Sequence, residues 1–348
     1  MKENIQKAVE IIRNYQGDEI RIMEVCGTHT HEIFRSGIRQ ILPEKVHLIS
    51  GPGCPVCVTP VGYIDQAISL ALEHHCTICT FGDLIRVPGS HLSLQQARQQ
   101  GASIEMIYSP LDAVSFAEKH PEQEIVLLAV GFETTTPLAC KAILKAKEKN
   151  LKNFSVLSAN KTMEQAYYAL SDSADAFLYP GHVATITGCQ IYRDLAKKDI
   201  SGVVAGFTTS ELIMAIAMIL KKHKKGEAFF VNCYPRVVSE QGSLPARNLI
   251  ETVMEACDSQ WRGLGNIAQS GLRIKAEYAS YDAYKKYHLK EELGQAHPLC
   301  RCGDVLKGKC LPKDCSVYGK GCTPEHPIGA CMVSNEGACS AFYKYSIE

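Results

Sequence analysis

The segment Gly51-Pro52-Gly53-Cys54-Pro55-Val56-Cys57-Val58-Thr59-Pro60 carries two thiols on a loop stiffened by three prolines. A Cys-x-x-Cys pair suits either thiol–disulfide exchange or chelation of a soft metal, because the thiolate is both nucleophile and ligand. A second group is Cys26-Gly27-Thr28-His29-Thr30-His31. Cys26 with an imidazole from His29 or His31 can hold iron or zinc; alternatively a histidine only tunes the thiol or shuttles its proton. A third is Glu133 in Gly131-Phe132-Glu133-Thr134-Thr135-Thr136-Pro137. It reads either as a helix cap or as a proton donor or acceptor facing the dithiol across a cleft. His182, in Pro180-Gly181-His182, has the same two readings.

The tail holds a denser set. Cys300, Cys302, Cys310, Cys315, Cys322, Cys331 and Cys339 are seven of the chain's sixteen cysteines, within 40 residues. Structural zinc sites usually show paired Cys-x-x-Cys knuckles, and this stretch has none. Thiols dispersed among glycines and prolines suit a four-thiolate iron–sulfur cluster better, with Tyr318, Phe342 and Tyr343 as its shield. Cys76 and Cys79 have the right spacing but fall inside a strand, where i and i+3 point to opposite faces, so they read as buried thiols. Cys140, Cys189, Cys233 and Cys257 stand alone.

The elements around these residues place them. A strand over 46–49 precedes the dithiol loop, and helical spacing over Val61–Leu72 follows it. A strand over 19–25 ends at Cys26, and a helix over 32–42 follows. Each thiol group therefore sits between the carboxyl end of a strand and a helix start, the edge where open α/β sheets bind ligands. If the two strands are neighbours, Cys26, Cys54 and Cys57 converge. Further strands read at 76–81, 104–108, 124–130, 154–159, 176–178 and 203–207, with helices between them. This alternation gives the α/β class with one mainly parallel sheet or two. Strand–Gly-Phe recurs at 131 and 206, a faint repeat in favour of two. A strand over 231–239 and a helix over 249–257 precede the Cys-rich stretch. The domains expected in chain order are 1–120, 121–228 and 229–348.

The chain has 348 residues, enough for two or three domains. Its 37 basic and 37 acidic residues balance, which argues against a nucleic-acid partner. No apolar run is long enough for a membrane span, and the charged N-terminus lacks the apolar core of a signal peptide. The expected location is the cytoplasm, where a reducing environment disfavours a disulfide framework.

These motifs together resemble the HypD family of [NiFe] hydrogenase maturation factors over nearly the whole length. The resemblance is carried by 26–31, 51–60 and 131–137, and by Trp261-Arg262-Gly263-Leu264-Gly265. In the tail it continues through Cys302-Gly303-Asp304-Val305-Leu306, Cys322-Thr323-Pro324-Glu325 and Cys331-Met332-Val333-Ser334-Asn335-Glu336-Gly337-Ala338-Cys339. It implies two Rossmann-like parallel-sheet α/β domains and a small Cys-rich C-terminal α+β domain with a [4Fe-4S] cluster. It implies a scaffold that assembles the Fe(CN)2CO group on iron at Cys26, Cys54 and Cys57, which match the family's essential interdomain thiols. It also implies two partners: a HypC-type chaperone that shares the iron and a HypE-type protein that delivers cyanide. Cys302, Cys315, Cys322, Cys331 and Cys339 match the family tail, and a cluster needs four of them; Cys300 and Cys310 are additional. The competing readings from the residues are a cluster-dependent thiol–disulfide oxidoreductase acting on a partner protein, and a zinc-stapled enzyme acting on a small molecule.

Overall fold

The repeated strand–loop–helix pattern resolves into two parallel sheets. The computed structural model describes residues 2–290 and 292–345. The strands are β1 Ile20–Glu24, β2 Val46–Ser50, β3 Thr77–Thr80, β4 Ile104–Met106, β5 Ile125–Ala129, β6 Phe154–Ser158, β7 Ala176–Pro180, β8 Gly202–Ala205 and β9 Phe230–Asn232. The first sheet has the order β2-β1-β7-β8-β9 and the second β4-β3-β5-β6. All their pairings are parallel.

Each sheet draws strands from both sides of residue 120, so a boundary there is corrected. The second sheet is an insertion between β2 and β7 of the first. Strand–helix alternation shows that strands run parallel, but it does not say which sheet each joins; consecutive strands need not be neighbours. The helix Val61–Leu72 carries the chain out to the second sheet. β5 is buried at every position, as a strand covered on both faces must be. Ile125, Leu127 and Ala129 enter one core and Val126 and Leu128 the other. Cys79 of β3 lies in the first of these cores and Cys76, the residue just before β3, in the second.

The boundary at 229 also moves. β9 is the last strand of the first sheet, and the segment after it packs on the second. The helix expected over 249–257 is Leu244–Val253, begun by Pro245 with Ser243 as its cap. It hands over to an antiparallel hairpin, β10 Met254–Trp261 and β11 Gly265–Ile274. Gly263 and Gly265 hold φ of +80° and +87° at its turn, a conformation side chains with a Cβ rarely adopt. Val253, Met254, Leu272 and Ile274 join the core of β5 and β6.

Trp261 ends β10, fully buried. Its Nε1 donates to Ser270 Oγ at 2.7 Å, and Ser270 Oγ donates to Ile267 O at 2.7 Å. Ser270→Ala leaves a buried indole N–H without an acceptor and should cost about 1–3 kcal/mol in urea unfolding. Among the described residues no helix is long and apolar enough to cross a membrane.

Candidate thiol and metal centre

β1 and β2 pair to their last residues, Glu24 against Ser50, and so release their loops side by side. Gly51 N donates to Glu24 O at 2.9 Å and Gly27 N to Gly53 O at 3.2 Å. A Cβ on Gly53 would lie 2.1 Å from Cys26 N, so only glycine lets the two loops touch. Cys26 and Cys54 are each the extended residue before a helix, Gly27–Arg35 and Pro55–Val58. The backbone N–H groups of His29 and Thr28 face Cys26, but burial outweighs them and pushes its pKa up to about 12. Cys57 is buried, and its thiol meets Cys331 and Cys54, contacts that raise its pKa further than burial does.

His29 and His31 share a short helix two positions apart, so their side chains diverge. His29 is buried against Phe207 with ring centroids 4.9 Å apart, and His182 also stacks on Phe207 at 3.8 Å. The His29 ring faces the backbone of Gly206 and Ala205, which favour its charged form, but burial outweighs them and pulls its pKa down to about 4, so the ring is neutral. His31 Nε2 instead meets Tyr345 Oη at 2.9 Å in the terminal helix Ala338–Tyr345. His31 is thus tied to the tail. Glu133 accepts from Met163 N at 2.8 Å, while its other oxygen is buried without a partner. Burial pushes its pKa up to about 7, near what a general acid at neutral pH needs. Its charge acts on Tyr167 and Tyr192.

The Cys-rich tail closes over this edge. Cys57 Sγ approaches Ala330 O at 3.9 Å. Cys331 accepts from Cys302 and Cys57, which lowers its pKa, making it the favoured thiolate of the three. Cys300 Sγ lies 3.3 Å from Cys302 Sγ, and Cys339 also meets Cys302. A small apolar cavity is lined by Cys300, Cys302, Cys315, Cys322 and Cys339, together with Val305, Val317, Tyr318 and Met332. Cys331 is absent from that lining and Cys300 present, which reverses the weight the tail pattern gives them. A Cβ on Gly329 would lie 2.6 and 2.7 Å from the Cys300 and Cys302 sulfurs, so the backbone there is cut back for the thiols. Five thiols in an apolar pocket with glycine clearance are a donor set that fits a thiolate-bound iron–sulfur cluster. Among the described residues no three side chains already stand at coordination geometry.

The comparisons with known proteins settle the family. Residues 3–346 match the family described as "HypD: Hydrogenase formation hypA family". The chain is 44% identical over 338 residues to the hydrogenase maturation factor HypD of Rhodobacter capsulatus, covering 94% of this chain and 89% of that one. It is 40% identical to the factors of the same name from Azotobacter vinelandii, over 339 residues, and Escherichia coli, over 334 residues, with the same 94% and 89% coverage. The chain belongs to the HypD family.

In this HypD-family chain two residues at the thiols carried no sequence signal for a role. Glu336 reaches from the tail to the Cys26 loop, where Thr28 Oγ1 donates to Glu336 Oε1 at 2.7 Å. Its charge raises the Cys26 pKa and opposes the burial that lowers that of His182. Arg262 leaves the hairpin turn to lie against the dithiol loop, with its N on Val58 O at 2.8 Å and its Nε on Thr59 O at 2.7 Å. Both stand in motifs shared with the family, but only the tertiary fold brings them to Cys26 and Cys57.

Proposed function

We propose that this chain is a hydrogenase maturation scaffold acting in the cytoplasm. In this reading, Cys26, Cys54 and Cys57 hold the iron on which the Fe(CN)2CO group is assembled. A low-spin iron with cyanide and carbonyl ligands is soft, and thiolates suit it. The observation that carries the reading is the continuous run of touching thiols from Cys54 through Cys57 and Cys331 to Cys302. It joins the sheet-edge site to the Cys-rich cavity.

A [4Fe-4S] cluster in that cavity would supply single electrons. Cys302 is shared with Cys331, so Cys300, Cys315, Cys322 and Cys339 are the four thiols we assign to the cluster. The dithiol Cys54–Cys57 would cycle with its disulfide, and Glu133, His29 and His31 would each be a candidate to move protons. A HypC-type chaperone would share the iron, and a HypE-type partner would deliver cyanide. The same thiol run also favours the second reading, a cluster-dependent thiol–disulfide oxidoreductase acting on a partner protein.

Anaerobic co-purification with a HypC-type partner separates the two. The scaffold should show cyanide and carbonyl infrared bands and one iron beyond the cluster, and a Cys26→Ala variant should lose both. A coloured protein with cluster iron alone and no bands, despite an active cyanide-delivery partner, would establish the reductase instead.

A further inference from the structure

Cys300, Arg301 and Cys302 line both the apolar sulfur cavity and a second cleft of about 610 Å³, so the two share one thin wall. The stretch from Cys300 to Cys322 supplies four of the cavity's five thiols. Five of its residues are basic and two acidic, in a chain whose charges sum to zero. Arg301, Lys309, Lys313 and Lys320 are exposed. Asp304 is taken up by Arg301 Nε at 3.0 Å, and Asp314 Oδ2 accepts from Leu311 N at 2.8 Å. Among the described residues, Lys309, Lys313 and Lys320 form no ion pair. Leu299 and Leu311 stand among them, 53% and 45% exposed. Arg301 Nη1 donates to Asp314 O at 3.4 Å, and Cys315 Sγ to Leu299 O at 3.6 Å, which holds these residues together beside the cleft. Exposed apolar side chains within a rim of one charge make a face fitted to a partner of the opposite charge.

We infer that this face docks an acidic one-electron carrier protein, which feeds electrons to the cavity through the shared wall. The inference rests on the reading that the cavity holds a [4Fe-4S] cluster. Such a cluster takes one electron at a time, so its donor is a one-electron carrier. In the step the reduced carrier loses one electron and the cluster gains it; no bond or proton moves. The basic face selects an acidic carrier and steers its approach, and the two leucines give the pair an apolar contact.

The probe is an acidic flavodoxin, offered to the full chain purified anaerobically. Calorimetry reads binding of the oxidised flavodoxin, and stopped flow reads oxidation of the reduced one. The tail variant carries Lys309→Glu, Lys313→Glu and Lys320→Glu together. The control carries Lys221→Glu, Lys224→Glu and Lys225→Glu, the same change in net charge at another site. The helix Thr209–His223 runs back from the end of β8, so these lysines lie at the edge of the first sheet opposite the thiols. At low salt the tail variant should bind and oxidise flavodoxin at least about tenfold more weakly and slowly, and the control should match the wild type. High salt should bring the three together. Dithionite, which needs no docking face, should bleach all three alike. Equal losses in both variants, or a tail variant with wild-type affinity and rate, overturn the inference. So does a wild type that fails to bind flavodoxin, or binds it and leaves it reduced while dithionite bleaches the cluster. An RNA hairpin held more tightly than flavodoxin by the same lysines also overturns it. If dithionite bleaches nothing in the wild type, the cluster reading itself fails, and the docking role fails with it.

Discussion

Replacing Cys57 with alanine is expected to lower hydrogenase maturation at least about a hundredfold while leaving the fold intact. Cys57 is the thiol through which the dithiol loop meets the tail, by way of Cys331 and Ala330. On the proposed reading its removal takes away an iron ligand and breaks the thiol run in one step. Even partners one shell outside a metal cost 10–100-fold when lost, so about a hundredfold is a floor. The stability cost should be on the order of 1 kcal/mol, because only one buried sulfur is deleted. Cys79→Ala is the matched control: it deletes an equally buried thiol from the core of the second sheet, away from the loop edge. Complementation of a host lacking its own HypD-type gene, scored as hydrogenase activity, reads both. Equal activity in the two variants would remove Cys57 from the mechanism.

That contrast between Cys57 and Cys79 was legible from sequence, because it depends on local rules. A strand followed by a Gly-Pro-Gly loop places its thiols at the sheet edge, whereas a thiol inside a strand points into a core. Cys26 was placed at the end of β1 by the same rule, and the β1–β2 pairing brings its backbone to Gly53. What local rules could not supply was sheet membership and long-range contact. The interleaving of β1–β2 with β7–β9 depends on where the helix Val61–Leu72 packs. The hairpin Met254–Ile274 was hidden because its alternation is broken by a register shift between Cys257 and Ser259. Arg262 reaches the dithiol loop from the turn of that hairpin, and Glu336 reaches Thr28, two residues after Cys26, across 308 residues. His31 was grouped with His29 by proximity in the chain, and the helix that both occupy separates them. Within the tail, spacing could not rank seven thiols; the apolar cavity gathers five of them, Cys300, Cys302, Cys315, Cys322 and Cys339.

Glu133→Gln is expected to stabilise the protein, and to do so only toward neutral and alkaline pH. The carboxyl is buried, one oxygen bound to Met163 N and the other without a partner beside Tyr167 and Tyr192. Burial raises its pKa from 4.5 to about 7 in the folded chain. The folded state therefore binds this proton more tightly than the unfolded state. Below pH 4.5 both states are protonated and the group is neutral in its effect. As pH rises from 4.5 through 7 the unfolded chain loses the proton first, and stability falls. Above that window the ionised carboxylate costs about 3 kcal/mol, which follows from about 1.4 kcal/mol per pKa unit. A glutamine keeps the carbonyl that accepts from Met163 and never ionises. Urea unfolding under reducing conditions at pH 4.5 and pH 8 should therefore show little difference between wild type and variant at the lower pH. At the higher pH the variant should be more stable by about 3 kcal/mol. If Glu133 is retained for proton transfer, that gain will come with slower maturation, the usual trade at a site whose residues are destabilising for a purpose. Parallel pH profiles for the two proteins would mean that the carboxylate is compensated in the folded chain, and Glu133 would then be a helix-start residue held by Met163 and nothing more.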